Sequence, residues 1–455
     1  MSTLSEHPTV KRFYELHDAS IDGQTDAGKD SSRKLDVGWL RQLVLSAGAD
    51  DVGFVDIDRT EIAAERDDIL RFFPQTRALI SFVLRMNREP IRNPARSVAN
   101  VEFHHTGDRV NETAHQIVAA LGDSGVRAIN PAMGFPMEMD RVGAGKLWLV
   151  SHKTVAVAAG LGQMGIHRNV IHPKFGNFVL LGTVLMDAEV TEYQRPLEFN
   201  PCLECKLCVS ACPVGAIGSD GAFDFGACFT HNYREFYGGF SNWVEQIADS
   251  KDAKDYRSRV SMPETASMWQ SLSYGANYKS AYCMAVCPAG EHVIAPFLID
   301  RPEYLKDVVK PLQQKEEIVY VLPNSDAEDY VARRFPKKTT KRVGNSLNRL
   351  RSIAAFLRGL EFTFQRTHAK GLDATYHFTF TGDEKREATV VIHDQKVEVK
   401  EGHIGKASIQ VTADSLTWLA FLAKERNLVW ALLRRKIRIK GSPKLLLDFG
   451  KCFPS

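Results

Sequence analysis

Long apolar runs, a strong charge of either sign and scattered cysteines are all missing from this chain of 455 residues. The best apolar stretch, around NFVLLGTVLM, falls short of the roughly eighteen residues a membrane helix needs, which argues against a spanning segment. Lys and Arg number 58 against 55 Asp and Glu, and the net charge of +3 is too small to argue for a nucleic-acid partner. The N-terminal residues lack the basic, apolar, small-residue order of a secretory signal, and no twin arginine precedes an apolar stretch. A cytoplasmic location is therefore expected. Of eight cysteines, seven fall between Cys202 and Cys287. Clustering of that kind without a secretory signal predicts metal ligation in a reducing compartment rather than disulfides. Hydrophobic residues at 44% and charged residues at 25% are ordinary for a globular protein of several domains.

The chain divides into five stretches. Residues 1–34 are polar and read as a flexible arm. Residues 35–195 alternate helix and strand patterns. VGWLRQLVLSAGADDVGFVDI reads as helix, turn and strand, RALISFVLRM and NFVLLGTVLMD as buried strands, and DRVNETAHQIVAALGDSG as an amphipathic helix, which together predict a layered domain of α and β elements. Residues 196–300 are loop-rich and hold the cysteines. Residues 301–345, with prolines at 311, 323 and 336, read as a linker. The basic run that follows reads as the solvated side of a helix burying Leu350, Ile353, Phe356 and Leu357. Residues 346–455 predict a separate α+β domain. There Tyr376, Phe378 and Phe380 share a strand face, two strands flank a turn at Asp394–Gln395, and a helix carries Leu416, Leu419, Ala420 and Ala423 on one stripe.

CLECKLCVSACP places thiols at Cys202, Cys205, Cys208 and Cys212, followed by Pro213, which is the spacing of a bacterial-type ferredoxin loop. Two-residue spacers let a tight loop turn three thiolates inward onto one 4Fe–4S cube, while the fourth cysteine of such a run serves a second cube. Zinc sites space their cysteine pairs further apart and leave the terminal Cys-Pro unexplained. Downstream, YCMAVCP supplies the partner. Cys287 completes cluster one with Cys202, Cys205 and Cys208, and cluster two takes Cys212, Cys228 and Cys283. The position where a further cysteine would stand is Ser280. Three outcomes stay open: an oxygen or nitrogen ligand (Ser280, His231 or Tyr282), an iron left open, or a 3Fe–4S cluster. A three-cysteine cluster is the favoured one, against a chain that builds cluster one alone. Cys452, in an apolar context, reads as an inert buried thiol.

AAGLGQMGIHRNVIHPKFGNFVLLGTVLMD is rich in glycine, but GLGQMG follows a helical pattern rather than a strand, and the IHP that follows breaks any helix that could hold a pyrophosphate. A dinucleotide site is not expected. The order AGLGxxG, IxPxxG, LGxVL and then CxxCxxCxxxCP resembles the core shared by reductive dehalogenases and epoxyqueuosine reductases. The resemblance implies a nitroreductase-like α/β domain that binds cobalamin, followed by a two-cluster ferredoxin domain. It further implies that Gly160, Gly162, Gly165, His172, Gly176 and Gly182 line the corrinoid pocket. LDATYHFTFTG, VEVKEG, IQVTADSLTWLAF and KIRIKGSPKLLLDFGKCF resemble a sterol-carrier-protein domain, which implies an apolar cavity for a lipid-like ligand.

Three departures limit the carry-over. The aspartate proton donor of epoxyqueuosine reductases is absent, with Lys146 near its place. The helical repeats which that family uses on tRNA are missing, and so is the export signal of respiratory dehalogenases. The expected chemistry is a reductase taking single electrons from an external ferredoxin or flavodoxin-type donor through both clusters to a corrinoid, acting on a small organic substrate. Lys146 and His152 are the candidate proton donors. The alternatives are an electron-transfer or lipid-binding iron–sulfur protein without corrinoid, and an enzyme whose three-cysteine cluster binds substrate at an open iron.

Overall fold

The computed structural model describes residues 10–12, 34–138, 148–202, 204–236, 238–344, 350, 352–423 and 425–454. Most of the N-terminal arm and Lys146 lie outside the described residues.

The first layer is built from α1 (Val37–Ser46), β1 (Asp51–Asp56), α2 (Ala63–Phe72), β2 (Ala78–Arg85), α3 (Arg96–Asp123), β3 (Ala128–Ile129), α4 (His152–Ala158) and β4 (Val179–Met186). The strands form one sheet in the order β1-β2-β4-β3, antiparallel throughout, with Asp51 opposite Val83 and Ala78 opposite Met186. The alternating pattern led to an α/β expectation, but no parallel crossover unit is present in this sheet. Strand alternation explains how both faces are covered. Val52, Phe54, Ile80, Phe82 and Val184 face one way, onto α1 and α3 through Leu40, Val44, Val110 and Ile117. Val55, Leu79, Val83 and Leu185 face the other way and meet Val155 and Ala156 of α4 and Ile69 of α2.

The first of these two cores runs on without a break into the cysteine segment. It takes in Cys208 and Ala211 of α5 (Leu207–Ala211), Ala227 of α6 (Phe225–Asn232), and Tyr282 and Ala285 of α8 (Tyr282–Ala285), which follows α7 (Met262–Tyr274). It also takes in the stretch expected to be a linker. Residues 301–344 fold as short helices followed by β5 (Ile318–Val321), α9 (Asp326–Arg334) and β6 (Thr339–Arg342), with β5 and β6 parallel. Leu312, Val319, Val321 and Val331 are fully buried there. The prolines that suggested a linker include Pro311, which stands in the first turn of a helix, where a missing N–H costs nothing.

The C-terminal unit has its own core. It comprises α10 (Ile353–Thr363), β7 (Ala374–Thr381), β8 (Arg386–His393), β9 (Lys396–Glu401), β10 (Ile409–Asp414), α11 (Ser415–Leu422), β11 (Ile437–Gly441) and α12 (Pro443–Cys452). The sheet order is β9-β8-β7-β10-β11, with only β7 and β10 parallel. Tyr376, Phe378 and Phe380 are buried on one face as the alternation predicts. Asp394 and Gln395 both take positive φ, at 48° and 56°, the geometry of a tight hairpin turn. The apolar stripe read on α11 is wrong. Trp418 is buried at 1% exposure while Leu416 is 57% exposed, because the helix turns its aromatic residue toward Phe356, Phe378 and Phe380.

Candidate iron–sulfur centre

Two non-glycine residues in the left-handed region, Glu204 (φ 54°) and Lys206 (φ 52°), fold the first cysteine loop inward. The loop feeds α5, whose Cys208 is buried, and brings Cys202, Cys205, Cys208 and Cys287 to the wall of one cavity. Among the described residues, no three His, Cys, Asp or Glu side chains converge on a single-ion position. Burial and the neighbouring Cys283, Cys287, Cys205 and Cys202 push the Cys208 thiol far up, and burial with Cys205, Cys202 and Cys283 pushes Cys287 up to about 12. Cations placed among such sulfurs would favour their thiolate forms.

Behind it stands a second group. Cys228 is raised by burial and then by Cys212 and Cys283, while burial and Cys212 push Cys283 up to about 12. Backbone amides soften this at two positions: Ile166 donates to Cys202 Sγ at 3.4 Å and Ala216 to Cys212 Sγ at 3.3 Å. Amide donors of this kind stabilise thiolate charge. The two groups also act on each other, since Cys283 raises both Cys208 and Cys287.

Of the three oxygen or nitrogen candidates for the second group, Ser280 and Tyr282 are engaged elsewhere, and His231 is engaged at Nδ1 while its buried Nε2 has no partner among the described residues. Ser280 is buried, and its hydroxyl donates to Asn232 Oδ1 at 3.2 Å, the oxygen that also accepts from the amides of Ser280 at 3.0 Å and Ala281 at 2.7 Å. The Tyr282 hydroxyl donates to Glu317 at 2.7 Å. His231 Nδ1 accepts from the Tyr320 amide at 3.3 Å, so the neutral ring carries its proton on Nε2 and has no lone pair there to offer a metal. Burial holds His231 down at about 4.

Sequence reasoning missed Lys153. It lies on α4, donates from Nζ to Arg168 O at 2.7 Å and to Asn169 Oδ1 at 3.0 Å, and is coupled electrostatically to Cys283 and Cys228. Burial lowers its pKa, and the two sulfurs oppose that. A signal existed in the chain: HKTVAVA is an apolar helix carrying one cation, beside a glycine-rich loop. Arg96, buried over the Tyr282 ring at 5.5 Å, is a second cation coupled to Cys283.

The glycines expected to line a corrinoid pocket are instead packed against the chain itself. A Cβ at Gly160 would meet Arg195 O, at Gly162 the Ile171 carbonyl, at Gly165 the His167 ring, at Gly176 the Ala289 carbonyl, and at Gly182 the Phe82 ring. Gly176 takes φ 64°, and its backbone touches Gly290, which fastens the glycine stretch to the loop carrying Cys287. Ile166, His167 and Ile171 of the same stretch line the cavity of the four thiols. His172 is buried, donates to Asp51 at 3.1 Å through Nε2 and stacks on Phe175. Through Ile166, His167 and Ile171 this stretch borders the first cysteine group. His152 is a poor acid. Its Nε2 donates to Ala132 O at 3.0 Å and its Nδ1 accepts from Thr183 at 2.8 Å, and burial lowers its pKa.

The C-terminal domain meets the cysteine segment through α6, the helix of Cys228. Phe225 packs edge-on to Phe362 at 5.6 Å, Arg366 pairs with Asp220 at 3.0 Å, and Asp326 accepts from the Thr367 amide at 2.8 Å. Asp224 caps α6 by accepting from the Ala227 amide at 2.8 Å. Burial, opposed by that amide and reinforced by Asp326, raises it to about 6.

Residues 361–454 match the SCP-2 sterol transfer family. An epoxyqueuosine reductase from Cellulophaga algicola is 30% identical over 103 residues, which make up 21% of this chain and 33% of that protein. The chain spans about a third of the length of that relative and of its counterpart from Cyclobacterium marinum. The solved epoxyqueuosine reductase from Streptococcus thermophilus is 14% identical at a TM-score of 0.34, covering 60% of this chain and 74% of that one. A catabolic reductive dehalogenase is 18% identical at a TM-score of 0.31, covering 39% of this chain and 25% of that one. The chain is thus similar in part to epoxyqueuosine reductases and ends in a sterol-transfer-type domain, which is the fusion its motifs predict.

Proposed function

We propose that the chain is an iron–sulfur reductase whose two clusters relay single electrons, the first held by Cys202, Cys205, Cys208 and Cys287 and the second by Cys212, Cys228 and Cys283. The observation that carries this reading is the cavity walled by four buried or half-buried thiols, with three more thiols behind it. When bound, the clusters supply one-electron transfer at low potential. The chain contributes the rest. Backbone amides at Ile166 and Ala216 hold thiolate charge, Gly176 lets two loops close over the first site, and Lys153 and Arg96 offset charge at the second.

The similarity to epoxyqueuosine reductases supports the reaction class and not the substrate, because the aspartate motif of that family is missing here. The similarity to epoxyqueuosine reductases favours a corrinoid as the acceptor beyond the clusters, held beside the glycine-rich stretch. An external one-electron donor of ferredoxin or flavodoxin type would feed the first cluster. The C-terminal domain would hold an apolar ligand close to α6. Anaerobic reconstitution followed by iron and acid-labile sulfide analysis tests the proposal. Two clusters, with about seven or eight irons per chain, are expected; a single bound zinc or one cluster alone would refute it. Equilibration with cobalamin and gel filtration tests the acceptor: co-elution of the corrinoid with the chain supports it and free corrinoid refutes it.

A further inference from the structure

A second cavity, of about 240 Å³, is lined by no cysteine and draws its walls from the helix Gly238–Ala248, α7, β5 and β6. That is far more room than one ordered water requires and less than the pocket of a drug-sized ligand, so it suits a small organic molecule. Its charged walls are Arg234, Arg259, Lys341 and Arg342 on one side of the ledger, Glu235 and Glu264 on the other. All but one have a counter-ion. Lys341 meets Glu264 at 2.6 Å, Glu235 is bound by Lys279, Arg259 pairs with Asp255 at 3.0 Å, and Arg342 pairs with Glu328 at 2.5 Å. Arg234 is the exception. Among the described residues it forms no ion pair; its guanidinium lies over the Tyr320 ring at 4.2 Å and donates to Asn242 Oδ1 at 3.2 Å.

Neither partner of Arg234 carries a charge, and the two wall carboxylates are already bound by lysines. One positive charge is therefore left over inside a half-enclosed space, where a group of opposite sign and matching shape gains most. A guanidinium offers its N–H donors as a planar fork that a carboxylate fits with two oxygens. A single left-over charge calls for a single negative charge; a phosphate dianion would bring a second into a cavity that Glu235 and Glu264 also line. The rest of the wall is apolar and firm. Trp243, Val260 and Met268 contribute to it, and the Trp243 indole is fixed by donating from Nε1 to the Tyr256 hydroxyl at 2.8 Å. We infer that this cavity binds a small organic carboxylate, with the carboxyl group on Arg234 and the apolar body against Trp243, Val260 and Met268. The site is independent of whether either cluster is built.

The test is isothermal titration calorimetry on the full chain, with benzoate as the probe, benzamide as its uncharged counterpart and inorganic phosphate as the competing anion. Wild type is expected to bind benzoate and to bind the other two more weakly or not at all. Arg234→Gln removes the charge and should weaken benzoate about tenfold or more. Gln246, half-buried at the cavity wall, offers a second variant: Gln246→Trp fills the space without altering a charge and should also abolish the binding. Thermal melting followed by circular dichroism checks that each variant folds. Benzoate affinity unchanged in Arg234→Gln would overturn the inference, as would benzamide or phosphate bound as tightly as benzoate, or a wild-type chain that binds none of the three. If Arg234→Gln does not fold, Gln246→Trp decides, since a wild-type affinity in that variant puts benzoate elsewhere and contradicts the site.

Discussion

At the scale of single residues, the account rests on which sulfur serves which cluster. Cys287 is distant in sequence from Cys202, Cys205 and Cys208 but shares their cavity, whereas Cys212, four residues after Cys208, belongs to the other group. Cys287→Ser should therefore remove about four irons and the more isolated paramagnetic signal, while Cys212→Ser removes the second cluster and spares the first; iron analysis with resonance spectra checks both. Ser280→Cys asks whether the vacancy can be filled. Asn232 holds Ser280 by three hydrogen bonds that involve its amide, its hydroxyl and the Ala281 amide. A thiol at 280 should thus leave the spectrum of the second cluster unchanged, and conversion to a conventional four-cysteine signal would show that the loop can rearrange. The cysteine spacing was readable in the chain because a cluster dictates spacing. Lys153 was not, because only the fold carries α4 to the sulfurs, across more than seventy residues of sequence from Cys228.

At the scale of elements, the glycine-rich stretch shows how tightly the chain packs on itself around a motif. Glycines in such a run allow close approach, but a sequence does not say to what. Here the partner is the chain's own backbone or a core ring. Gly182, paired with Phe82 across the central strands, has no room for a methyl group. Gly182→Ala should cost about 1–3 kcal/mol in unfolding free energy through overpacking, measured by denaturant titration, with cluster content unchanged. A lining role in a cofactor pocket would instead leave stability intact and change cofactor binding. The buried strands, the hairpin at Asp394–Gln395 and the helix at HKTVAVA were all legible, since alternation, turn chemistry and helical period are local. The stripe on α11 was not, because aromatic contacts from α10 and β7 decided which side of it turned inward.

At the scale of the whole molecule, the stretch expected to be a linker proves to be part of the core that holds the cysteines. Prolines and charges gave it the look of a connector, while Leu312, Val319, Val321 and Val331 bury it. The C-terminal domain is consequently seated directly on α6. Asp224 lies at that junction and carries a pH dependence of known sign. Its folded pKa of about 6 exceeds the ordinary carboxyl value of 3.8, so the native state binds the extra proton between those values. Stability from this group is present below about pH 4 and is lost as pH rises through about 6. Asp224→Asn keeps the cap and should remove up to about 3 kcal/mol of that pH-dependent loss, read as a smaller drop in Tm between pH 5 and pH 7 than in wild type. A variant with the same pH profile as wild type would place the titration elsewhere.

The most direct test of the central claim is a Mössbauer spectrum of the full chain reconstituted anaerobically with isotopically enriched iron. The account predicts two cubane clusters, one with four equivalent thiolate-bound irons and one with a single iron set apart from its three neighbours. Two identical clusters with no distinct iron, or one mononuclear tetrahedral site, would contradict it.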